Sequence, residues 1–203
     1  DFETKLFAKP NAAQLLRAAL AKPGYKPAPI AMGTNTDPYQ PIEERYRITR
    51  AVLEVCLEAR HPVTITTKSA RVLRDLDLLV ELAKLNLTAV SVSITSLDPK
   101  LSGLLEPRAS SPAKRLGALE KLAAAGVPAH VSIAPIIPSI TDEFIEAILS
   151  EAAARGITVV GLVPPGHKIA TRAIAAGEPV RRYNQIIGTA TQAIAPGQHV
   201  HTH

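Results

Sequence analysis

The sequence predicts an α/β protein, an incomplete parallel (β/α) barrel followed by a small all-β unit. Three observations carry this. From residue 11 to about residue 160, short β-branched runs alternate with helical periods, the pattern of βαβ units in a parallel sheet. Right-handed crossovers then curl successive strands into a barrel or part of one. At Leu162 the helical periodicity stops, and short β-like runs separated by Gly and Pro take over. Composition is the third: the chain is 46% hydrophobic but only 3% aromatic and lacks Trp, so its core must be aliphatic.

Each element has its own signal. Residues 11–21 have a helical period, with Asn11 as N-cap and Leu15, Leu16, Ala19 and Leu20 on one face. A Pro/Gly-rich link follows over 22–29, then a short apolar strand, 30–33. A long helix is predicted over 42–59, with Ile48, Val52, Val55 and Cys56 inward. Residues 63–67 are a β-branched strand, 73–85 a helix and 89–94 a strand. The helix over 112–125 opens with Pro in its first turn and ends at Gly126. Strand 127–133 precedes a helix over 141–155, capped by Thr141, with Asp142 and Glu143 in its first turn and Gly156 after its end. Residues 157–160 form the last strand of the cycle. Beyond it, the runs 167–171, 178–183, 186–190 and 199–203 are separated by Pro164-Pro165-Gly166, Ala175-Ala176-Gly177 and Ala195-Pro196-Gly197. The boundary between the two parts falls at residues 156–164.

Charge and cysteine content exclude some classes. The formal charge is +5, which permits an acidic partner without demanding one, because the basic residues are scattered. No Lys/Arg block is interleaved with aromatics in the way single-strand binding favours. One cysteine, Cys56, excludes an intramolecular disulfide framework and fits a reducing, cytoplasmic compartment. No run of about 18 apolar residues is present, so no membrane span is expected, and the N-terminus shows no signal-peptide pattern. The chain opens on Asp1 and not on Met, which reads as a piece of a longer reading frame or a processed product.

Functional loops of such a barrel are expected at the C-terminal strand ends. The candidates are 33–41, 67–69, 95–97 and 135–141. The first holds Gly33-Thr34-Asn35-Thr36-Asp37-Pro38-Tyr39-Gln40-Pro41-Ile42-Glu43. That run resembles the second-strand motif of radical S-adenosylmethionine proteins of the spore-photoproduct-lyase-like group, also known as DNA repair photolyases. The resemblance covers residues 1–158. It includes Thr67-Lys68-Ser69, Arg74-Asp75-Leu76-Asp77-Leu78-Leu79, Ser91 to Thr95, Glu106-Pro107-Arg108, Pro112-Ala113-Lys114-Arg115 and Ala134-Pro135-Ile136-Ile137-Pro138.

The resemblance implies S-adenosylmethionine and a [4Fe–4S] cluster as the family's cofactors, and nucleic acid as a partner. It places Asn35, Asp37, Lys68, Ser93 and Arg115 in cofactor binding, where amino and carboxylate groups need acceptors, hydroxyls and cations. Plainer readings stand beside this one. Asp37-Pro38 also reads as a turn, Lys68 as a solvated strand end, and Arg115 as a helix-surface charge pairing with Glu106. His130, on an apolar strand, reads as a core or barrel-lining histidine. The family's three-cysteine loop lies upstream of the second-strand motif, whereas Cys56 lies downstream of it. One thiolate cannot hold a cluster that takes about four. No cofactor is therefore expected on this chain, and no catalytic residue is assigned.

The last part has a different resemblance. Pro165-Gly166-His167-Lys168-Ile169-Ala170, Gly177-Glu178-Pro179-Val180, Ile187-Gly188-Thr189-Ala190 and Gly197-Gln198-His199-Val200-His201-Thr202-His203 resemble the SAF domain, a β-clip module of altronate and galactarate dehydratases. It covers residues 163–203. On an extended strand His199, His201 and His203 face one side, about 6–7 Å apart per step. Imidazoles so placed can chelate a divalent transition metal; a fraying terminal tail is the other reading. The expected architecture joins a partial barrel over 1–158 to a partial β-clip over 159–203. Three functional readings follow: a remnant of a radical enzyme, an accessory module of a sugar-acid dehydratase, and a folded non-catalytic domain with residual ligand affinity. For the chain as it stands the third is favoured. Self-association is expected through the open edge of the 30–33 strand, making a homo-oligomer.

Overall fold

A computed structural model describes residues 7–162, 168–169, 174–182, 185–194 and 199–200. Five strands form one parallel sheet in chain order: β1 (Ile30–Met32), β2 (Val63–Thr67), β3 (Thr88–Ser93), β4 (Ala129–Ile133) and β5 (Thr158–Leu162). Strand order equal to chain order means that every crossover steps one strand in the same direction. A barrel wall is built this way, whereas a doubly wound sheet reverses direction once. β1 and β5 are the two edges.

Alternation fixes which face the helices cover. In β2 the residues Val63, Ile65 and Thr67 are buried while Thr64 and Thr66 are exposed. β3 and β4 continue the pattern with Val90, Val92, Val131 and Ile133 buried. The helices α3 (Ile48–Glu58), α4 (Leu76–Lys84), α6 (Pro112–Ala124) and α7 (Ile145–Ala154) supply Leu53, Cys56, Leu79, Leu82, Leu119, Leu122 and Ile148 to the same aliphatic core. Helix α1 (Ala12–Leu20) lies on α3 and packs its partly buried Leu16 against this core. None of its residues is buried, and Leu15 faces solvent.

The structure corrects several local expectations. The helix expected over 42–59 is two: α2 (Glu43–Tyr46) and α3, broken at Arg47, whose φ of 49° is left-handed. The segment before α4 is a 3₁₀ helix, Ala70–Asp75, and another, Asp142–Phe144, precedes α7. Thr141 does not cap a helix. Its hydroxyl instead accepts the Ile137 amide at 2.7 Å and so closes the 135–141 loop on itself. Asn11 likewise makes no side-chain cap bond. A helix that was not expected, α5 (Pro99–Leu105), starts at Asp98, which accepts the Lys100 amide at 2.8 Å.

The described strands of the C-terminal part pair antiparallel, as expected of a small all-β unit. β6 (Lys168–Ile169) pairs with β9 (His199–Val200), and β7 (Pro179–Arg182) with β8 (Gln185–Thr189). No helix among the described residues is long and apolar enough to cross a membrane.

Candidate functional site at the C-terminal strand ends

The loop after β1 sets the geometry of the rim. Gly33 has φ +97°, and a Cβ there would lie 1.9 Å from the Thr66 carbonyl oxygen. Only glycine permits this approach of β1 to β2. Asp37 then laces the loop down. Its Oδ1 accepts the Tyr39 amide at 2.8 Å and the Thr67 hydroxyl at 2.7 Å, while Oδ2 accepts the Lys68 amide at 2.7 Å. Asn35, at the tip of the same loop, is exposed.

The remainder of the 33–43 run is structural. Tyr39 is fully buried, and burial, with the Asp75 carboxylate second, pushes its phenol well above the ordinary value. The Thr49 hydroxyl donates to the Pro38 carbonyl at 2.5 Å, and the Thr49 amide donates to Glu43 Oε1 at 2.8 Å. Glu43 also receives Arg74, whose Nη2 reaches its Oε2 at 3.1 Å. Arg74 and Arg50 both hold Asp75, which is fully buried. Arg50 further grips Asp77 with two bonds, at 3.0 and 2.7 Å, and this hydrogen bonding draws the Asp77 pKa down.

A second network joins the ends of β2 and β3. Lys68, 36% exposed, lies 2.9 Å from Glu106 Oε1, and Arg115 Nη2 lies 2.6 Å from Glu106 Oε2. The latter is an ion pair without hydrogen-bond alignment. Arg115 is 1% exposed, so it is no surface charge of α6. It spends its remaining donors inside the protein. Nε donates to the Ser110 carbonyl at 2.6 Å, Nη1 to the Ser93 carbonyl at 2.9 Å and Nη2 to the Ser102 hydroxyl at 3.3 Å. Ser93 is itself buried at the end of β3. Ser110 returns the tie, donating its amide to the Lys68 carbonyl at 3.1 Å and accepting the Ala70 amide on its hydroxyl at 2.8 Å.

The fold therefore brings Asp37, Lys68, Ser93 and Arg115 into one rim. Asp37 and Arg115 are engaged by protein partners and shape it; Asn35 and Lys68 keep polar groups accessible.

Reading for strand ends missed a feature of the sheet itself. Register aligns Thr66, Ser91, His130 and Thr158 across β2 to β5, on the face that the helices leave uncovered. His130 Nδ1 is buried there without a hydrogen-bond partner. The signal was available, since polar residues alternate along these strands: Thr64 and Thr66 in β2, Ser91 and Ser93 in β3, His130 and Ser132 in β4.

Comparison with known proteins fits this architecture. The model of the radical SAM superfamily matches residues 9–152. This chain belongs to the radical SAM superfamily. A second model, the altronate/galactarate dehydratase SAF domain, matches residues 141–203. An uncharacterized protein of Mycobacterium tuberculosis is 36% identical over 167 residues, 80% of this chain and 49% of that protein. An uncharacterized protein of Methanocaldococcus jannaschii is 34% identical over 122 residues, 60% of this chain and 45% of that one. The (2R)-sulfolactate sulfo-lyase subunit alpha of Chromohalobacter salexigens is 46% identical over 41 residues, 20% of this chain and 44% of the subunit. The chain spans about half the length, or less, of these curated relatives.

Among solved structures, Streptococcus suis SuiB bound to its precursor peptide SuiA gives a TM-score of 0.54 at 18% identity, over 75% of this chain and 32% of SuiB. A spore photoproduct lyase variant gives 0.52 at 21%, over 70% of this chain and 40% of that one. At this identity the likeness is one of fold.

The radical SAM fold implies a [4Fe–4S] cluster, and the residues present do not fit one. Cys56 is the sole cysteine. It sits inside α3 at 0% exposure, and burial pushes its thiol up to about 11, so it stays protonated. Cluster thiolates would have to come from outside these 203 residues. Among the described residues no three His, Cys, Asp or Glu side chains are grouped to hold a metal ion. Of the histidine array, His199 lies in β9, and His201 and His203 are outside the described residues.

Proposed function

We propose that the strand-end rim of this radical SAM domain is an S-adenosylmethionine-contacting surface, and that the 203-residue chain by itself does not run radical chemistry. One observation carries the first half. Lys68 is an accessible cation held in place by Glu106, which the buried Arg115 holds in turn. A tethered ammonium can pair with the carboxylate of an amino-acid moiety at little further ordering cost. Asn35 offers an exposed amide on the neighbouring loop. Asp37 orients the backbone of Lys68, and Ser93 fixes Arg115 through its carbonyl. The second half rests on the lone, buried thiol.

A second reading, an accessory module for a lyase acting on sugar acids, has its support in the SAF match over residues 141–203. One calorimetric titration with two ligands separates the readings. With S-adenosylmethionine, binding in the millimolar range, about −4 kcal/mol, is expected, and Lys68→Ala should remove it. Micromolar affinity, or indifference to Lys68→Ala, would overturn the proposed rim. Heat from galactarate with none from S-adenosylmethionine would favour the second reading.

A further inference from the structure

Outside the rim, a depression of about 490 Å³ opens between the start of the 3₁₀ segment after β2 and the N-terminus of α6. Three cationic residues line it, Arg71, Arg108 and Lys114, together with Ser110 and Ser111. Arg71 is tied through Nε to Glu44 at 2.7 Å, which fixes its guanidinium at the wall. Glu106 of the rim is committed to Lys68 and Arg115, and Glu44 is the carboxylate on Arg71. Helix α6 adds a positive end. Its N-cap, Ser111, makes no side-chain cap bond, and its first turn carries no acid. Ser110 forms the wall between rim and depression, with its carbonyl on Arg115 and its hydroxyl on the Ala70 amide.

We propose that this depression binds a phosphate ester. Two arginines and a lysine line the depression beside the Ser110 and Ser111 hydroxyls, a set of donors of the kind a phosphoryl group accepts from. The chain's charge of +5 favours the approach of any anion, but a diffuse field has no preferred residue. The two sources of such a group are a free phosphorylated small molecule and the backbone of a nucleic-acid strand. The proposal does not depend on the cofactor reading of the rim.

The test titrates the whole chain with pyrophosphate and, separately, with a short oligothymidylate lacking terminal phosphates. Two variants are compared: Arg108→Ala/Lys114→Ala, and Ser111→Asp. The second places a good N-cap at α6, so its thermal stability should hold or rise while the new charge repels an anion. At least a tenfold loss of affinity is expected in both, with less than twofold in Lys121→Ala, an exposed lysine at the far end of α6. Pyrophosphate binding alone assigns a free phosphorylated ligand. Tighter, salt-sensitive oligonucleotide binding that the same variants abolish assigns a strand. Absence of binding by either probe overturns the proposal, as does affinity that Lys121→Ala lowers as much as the pocket variants do.

Discussion

Gly33→Ala is expected to lower stability by roughly 3 kcal/mol or more. The added methyl would meet the Thr66 carbonyl oxygen at 1.9 Å and its carbon at 2.9 Å, both backbone atoms of β2. Neither can swing aside as a side chain would, because Thr66 sits in a strand paired with β3. The strain of φ +97° for an L-residue adds about 1–2 kcal/mol. The relief open to the chain is to peel β1 away, and β1 holds β2 through three residues only. That would also pull Asp37 off Thr67 and Lys68 and undo the rim. Gly24→Ala isolates the clash, since Gly24 also has a positive φ but nothing within 4 Å of its Cβ position. Thermal unfolding of both variants decides the matter. At about 2–4 °C per kcal/mol, Gly33→Ala should melt several degrees below Gly24→Ala, and equal melting would refute the close approach.

Arg115→Met is the second large effect, with an expected cost of about 3–5 kcal/mol. It removes the partner of a mostly buried carboxylate and leaves the carbonyls of Ser93 and Ser110 without their donors. Glu106 keeps Lys68, but that pair is closer to solvent and worth less. The loss should be coupled. Arg115→Met/Glu106→Gln should recover at least about 1 kcal/mol of the sum of the single losses. Strict additivity in chemical denaturation would show that the two groups do not act as a pair.

Much of this was legible in the sequence. The β-branched run 63–67 is β2 to the residue, because its burial alternates as strand geometry requires. Helix α6 was marked at both ends by Pro112 and Gly126. Other features were not written locally. Nothing at Arg47 announces a left-handed residue between two helices; the break places Glu43 so that its carboxylate meets the Thr49 amide. Helix α5 escaped because Ser102 and Gly103 are weak helix formers, and its stability comes from the Asp98 cap. At the rim, the sequence pointed to Asp37, Lys68, Ser93 and Arg115, but it did not show which partners each would engage. Whether Arg115 faces solvent or Glu106 depends on a loop that returns 13 residues after Ser93, a tertiary fact. The polar row through His130 needs register, which only strand pairing supplies.

Anaerobic reconstitution of the 203-residue chain with iron and sulfide, followed by desalting, an absorption spectrum and iron analysis, tests most directly whether these residues hold a cluster. A chain whose one thiol is buried and protonated should lose its iron on desalting and show no sulfide-to-iron charge-transfer band. Retention of stoichiometric iron with a stable cluster spectrum would contradict the placement of the cluster's ligands outside this chain.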